Sequence, residues 1–183
     1  MICYVATHGA RNVGLLQRLL APEMQQANGD IRLVHTSDHN SVSGRAAAIA
    51  MLNRKPAAMC YDARSVDPEQ IAEDRLTIEE DLMYGVPRSL WKLFIAVPEL
   101  QSLLFADRAI LESLVGGPVT EAQLIRGHYE PKVILAALLK ERGISDEEFD
   151  RRLAQADLTP LRQLSPIREL VEFVAKNAFA PAA

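Results

Sequence analysis

Four short runs of strand-forming apolar residues, each separated from the next by a stretch of helical periodicity, constrain this chain more than any other feature. The runs are 2–6 (ICYVA), 31–36 (IRLVHT), 57–62 (AAMCYD) and 92–97 (KLFIAV). After the first, Val13, Leu15, Leu16, Leu19 and Leu20 recur at helical spacing. After the second comes an Ala-rich segment from about Gly44 to Asn53. After the third, Asp67-Pro68-Glu69 opens a helix, with Asp67 as N-cap and Pro68 as its first residue. Connections of this length carry right-handed crossovers between parallel strands. The expected fold is therefore α/β, a short four-stranded parallel sheet flanked by helices. From Glu99 onward the pattern is helical only, over 99–104, 107–115, 119–126, 131–142, 146–155 and 164–178. The expected organisation is an α/β domain over 1–105 and a helical C-terminal extension over 106–183 packed on it. The turn signal Asn28-Gly29-Asp30 introduces the second strand, and 180–183 reads as a frayed tail.

Composition narrows the function classes. Hydrophobic residues make up 49% of the 183, enough for a core that needs neither metal nor disulfide. Cys3 and Cys60 fall inside strand runs and read as buried thiols, with no Cys-x-x-Cys pair to suggest zinc. A net charge of -4 argues against a broadly basic nucleic-acid surface but leaves room for a local basic groove. No apolar run approaches the ~20 residues of a bilayer span, and the start lacks the pattern of a signal peptide. A cytoplasmic protein without membrane association is expected.

In an open parallel sheet, ligands collect beyond the carboxyl ends of the strands. The residues there are Thr7, His8 and Gly9; His35, Asp38 and His39; Asp62, Ala63 and Arg64; and Pro98 and Glu99. A carboxylate such as Asp62 at the end of a buried strand must be solvated, paired or cation-bound, or else cap a helix. Glu99 opens a helical stretch, where the macrodipole favours an acid with or without a function. His8, His35, His39, Asp38 and Asp62 could surround zinc, manganese or iron, although solvated loop histidines are the plainer reading. Gly9 could bring a phosphate to backbone amides, with Arg11 beside it and Arg45 adding a charge-assisted contact from the second helix. Neither a G-x-G-x-x-G nor a Walker pattern is present. The charged run 73–81 reads as a solvated helix face, and Trp91 as core or sheet rim.

Three segments carry a family likeness: ICYVATHGARNVGLLQRLL, AAMCYDARSVDPEQIAEDR and KLFIAVPELQSLLF. Together they resemble a TOPRIM-like domain of the overcoming-lysogenization-type and small standalone prokaryotic defence nucleases, over 1–105 and more loosely to 142. Clustered carboxylates in such enzymes hold magnesium, which stabilises charge during phosphodiester cleavage. The resemblance implies catalytic positions at His8, Asp62, Arg64 and Glu99, with Asp62 and Glu99 as the metal-holding acids. Here His8 stands in place of the first-strand glutamate, Arg64 in place of the second aspartate, and Gln101 in place of the last acid. A guanidinium 4–5 Å from a dication repels it by several kcal/mol even at an effective dielectric of about 20. An ion pair of Arg64 with Asp62 or Glu99 would then stand in for the metal.

The expectation is thus a TOPRIM-like protein with a degenerate metal site that binds nucleic acid or a protein partner without cutting. One alternative is an active nuclease using His8, Asp62 and Glu99 with Mg or Mn. Another is an interaction or assembly protein, a homo-oligomer included, docking through the stripe Ile167, Leu170, Val171 and Val174.

Overall fold

The computed structural model describes residues 2–28, 30–83 and 85–179, without the side chains of Asp81 and Met83. Gly29 of the turn signal and the tail 180–183 lie outside the described residues. In chain order the elements are β1 (Cys3–His8), α1 (Ala10–Leu19), α2 (Ala21–Gln26), β2 (Ile31–Thr36), α3 (Ser41–Asn53), β3 (Ala57–Asp62), α4 (Pro68–Met83) and β4 (Trp91–Ala96). There follow α5 (Arg108–Val115), α6 (Glu121–Tyr129), α7 (Pro131–Glu141), α8 (Asp146–Gln155) and α9 (Ile167–Ala178).

The fold is α/β, with a four-stranded sheet in the order β2-β1-β3-β4 and every neighbouring pair parallel. The chain leaves β1 for β2 on one side, then returns to place β3 on the other. That reversal puts a topological switch point between the carboxyl ends of β1 and β3, the place where ligands of open parallel sheets generally bind.

Several boundaries differ from expectation for physical reasons. β1 runs two residues further than its apolar run, because Thr7 and His8 continue the parallel register against His35 and Thr36. α3 starts at Ser41, whose hydroxyl donates to Asp38 Oδ2 at 2.9 Å and ties the polar loop to the helix start. The short α2 has Pro22 in its first turn, where the fixed φ suits a helix. The expected helix at 99–104 is a 3₁₀ turn over Leu100–Ala106.

Apolar clusters cover both faces of the sheet. On one face Cys3, Val5, Ala58, Cys60 and Phe94 pack with α1, and α5–α9 contribute residues such as Leu111, Leu135, Phe149 and Leu170 to the same cluster. On the other face Ala6, Met59, Leu93 and Ile95 pack against α3 and the Ile78 and Leu82 side chains of α4. Both cysteines are free and buried; desolvation pushes the Cys3 thiol up to about 12 and raises Cys60 as well. Trp91 opens β4 and is buried, its indole N–H donating to the Val86 carbonyl.

The α9 stripe does not offer a docking face. Ile167, Leu170 and Val174 are at most 1% exposed and belong to the chain's own core, so the assembly reading loses the feature that suggested it. No helix among the described residues is long and apolar enough to cross a membrane.

Candidate functional site

β3 ends in Asp62, which is only 3% exposed. One of its carboxylate oxygens accepts the Leu100 N–H at 2.8 Å; the other accepts the side-chain amide of Asn12, in the first turn of α1, at 3.0 Å. The carboxylate therefore ties together β3, the turn after β4 and the start of α1. Lys132 completes the arrangement, with its ammonium 2.8 Å from Glu99 Oε1 and 3.8 Å from Asp62 Oδ2.

Lys132 is the residue that sequence reasoning missed. It stands directly after Pro131 in the first turn of α7, which contains no acid. A cation there opposes the helix macrodipole, and Glu99 and Asp62 supply the negative charge that offsets it. That misplaced charge was the available signal. Its position is set by the neighbouring helix: a Cβ on Gly127 of α6 would lie 1.9 Å from the Phe105 ring, so only glycine lets α6 seat against the turn after β4.

Asp62 and Glu99 thus meet, but as partners of an ammonium group rather than as metal ligands. Magnesium demands a near-octahedral set of oxygens, whereas both Asp62 oxygens already accept hydrogen bonds and Lys132 lies between the acids. Among the described residues no group of three or more His, Cys, Asp and Glu side chains could hold a metal ion. The donor set does not fit the metal. Nor does Arg64 form the expected ion pair with either acid; the lysine takes that role.

A second group lies beside the first. His8 ends β1 and meets His39 edge-on at 6.0 Å, and His39 packs on the ring of Tyr61 at 4.1 Å. His39 is 5% exposed, not the solvated loop histidine its polar surroundings suggest. Burial lowers its pKa, the Arg64 guanidinium lowers it further, and Asp62 pulls the other way. Burial raises Tyr61 above the usual tyrosine value, and the Ser41 hydroxyl holds Asp38 below the usual aspartate value.

Arg64 has a left-handed backbone, φ 58°, a conformation that costs a non-glycine residue about 1–2 kcal/mol. Its N–H donates to the Pro98 carbonyl at 2.7 Å, and the Ala63 N–H donates to Ala96 at 2.9 Å, which fixes the turn. The side chain is exposed and lines a hollow of about 140 Å³ together with Pro98, Glu99, Tyr129 and Lys132.

The three phosphate candidates are dispersed. Gly9 has φ 84° and open space where a side chain would sit, at an α1 start without a side-chain cap. Arg11 is committed elsewhere, ion-paired with Asp146 and lying 5.2 Å over the Phe149 ring. Arg45 is exposed beside His35 and Ser37 in a separate, open depression. His35 and His128 are exposed.

Among the described residues, five buried side-chain atoms lack a hydrogen-bond partner: Thr7 Oγ1, Asn12 Oδ1, His39 Nδ1, Glu99 Oε2 and Gln101 Oε1. All five belong to the ends of strands or to the segments that leave their carboxyl ends. Native interiors leave few such atoms.

Comparison of the chain with protein-family models, curated proteins and solved structures finds no match in any of the three.

Proposed function

We propose that this chain is a TOPRIM-like protein with a disarmed metal site, binding nucleic acid at its strand ends without cutting it. The observation that carries this reading is the ammonium of Lys132 between Asp62 and Glu99. Its single positive charge offsets one of the two remaining acids and stands between them, which disfavours a carboxylate-held metal and the phosphodiester cleavage it would support. Arg64 supplies the phosphate contact: it is exposed, held in a costly conformation, and within 4 Å of no acidic group among the described residues. The net charge of -4 is no obstacle, because binding depends on where the cations stand.

The test incubates purified protein with labelled DNA and RNA in Mg²⁺ or Mn²⁺, alongside an Asp62→Ala variant, and follows binding by fluorescence anisotropy. The expected outcome is salt-sensitive binding with no cleavage, and an Arg64→Gln variant whose salt dependence is shallower by about one phosphate contact. Metal-dependent cutting that disappears with Asp62→Ala would replace this reading by an active nuclease. If no oligonucleotide binds at low salt, the nucleic-acid reading falls and a protein partner takes its place.

A further inference from the structure

We infer that the strand bound at this site is single, with one of its bases seated in the hollow against Tyr129 and the adjoining phosphate on Arg64. The inference rests on the nucleic-acid reading above and names the form of ligand that the same site takes. Tyr129 closes α6 and is 62% exposed, a large aromatic surface left in water beside two cations. Val133, which lines the same hollow, is 60% exposed. Base–aromatic stacking is sequence-tolerant because every base has a π-face, and single-strand binders pair such platforms with cationic grooves.

The chemistry of the hollow separates its two ends. Arg64 offers a guanidinium that no acid among the described residues pairs with, suited to a phosphate. Lys132 is already engaged by Glu99 and Asp62, and Glu130, which also lines the hollow, is paired with Arg126 at 3.1 Å. The two carboxylates at that end, Glu99 and Glu130, repel a phosphate and leave the Tyr129 face for an uncharged base. A base reaches such a hollow only when it is out of its stack, which a duplex resists and a single strand allows.

The test measures anisotropy of labelled single-stranded and duplex oligonucleotides of the same sequence, without metal, on the full chain and on Tyr129→Ala and Tyr129→Phe. The expected result is preference for the single strand, lost by about 5- to 100-fold in Tyr129→Ala and kept in Tyr129→Phe. Thermal melts confirm that the exposed substitution leaves the fold intact. Equal affinity for both forms with no effect of Tyr129→Ala overturns the inference and leaves the nucleic-acid reading standing. Binding of neither form overturns both. Preference for a single strand that Tyr129→Ala does not weaken also overturns it, since the base then sits elsewhere.

Discussion

Arg64 illustrates how a single residue separates stability from binding. Replacing it with glycine relieves about 1–2 kcal/mol of backbone cost and gives back roughly 0.5–1 kcal/mol in unfolded-chain entropy. Arg64→Gly should therefore raise stability slightly in urea titrations while weakening nucleic-acid binding in anisotropy. His39 makes a second prediction at this scale. Its folded pKa lies below the ordinary 6.5, so between the two values the unfolded chain binds a proton that the folded chain does not. The stability it contributes is complete above pH 6.5 and declines as the pH falls through the folded value. Denaturant midpoints measured across that window should fall for the natural protein and flatten for His39→Gln. Asp62 was legible in the sequence, because a carboxylate ending a buried strand demands a partner. For Lys132 the sequence shows a cation misplaced at a helix start but not the partner that answers it, since Glu99 is 33 residues away and only folding brings them together.

The secondary-structure elements were legible wherever their own residues decide them. β3 falls on the expected 57–62, and α7 and α8 fall where apolar periodicity and punctuation put them. α6 begins just after Thr120, whose side chain and Gln123 form a reciprocal capping box. Boundaries were misread where a neighbouring element decides: Thr7 and His8 look like loop residues, yet pairing with β2 makes them strand. Burial of His39 likewise depends on Tyr61 from another strand. The contact of α6 with the turn after β4 has the most to lose from one atom. Gly127→Ala must push aside the Phe105 ring, a strain of about 1–3 kcal/mol. A lowered thermal midpoint is expected, together with weaker nucleic-acid binding, because the displaced helix carries Tyr129 at its end.

Across the whole molecule, the helices after β4 and one face of the sheet share a single apolar cluster. The two are also bound at the surface of that cluster, where Arg162 donates to both oxygens of Glu23 at 3.0 and 2.5 Å. A fragment ending at Ala106 would leave Cys60, Phe94 and the inner side of α1 uncovered. Such a fragment is expected to lose cooperative unfolding, read as the absence of a sharp calorimetric transition and of near-ultraviolet circular dichroism. The opposite face is covered more thinly. Ile78 and Leu82 are the buried apolar side chains that α4 contributes there among the described residues, while its Leu76 is 61% exposed. Such a layer opens to solvent at lower free energy than the rest. Deuterium should enter the amides of α4 well before those of α1 or α7, so the protein breathes on one side while the rim that holds Asp62 and Lys132 stays shut.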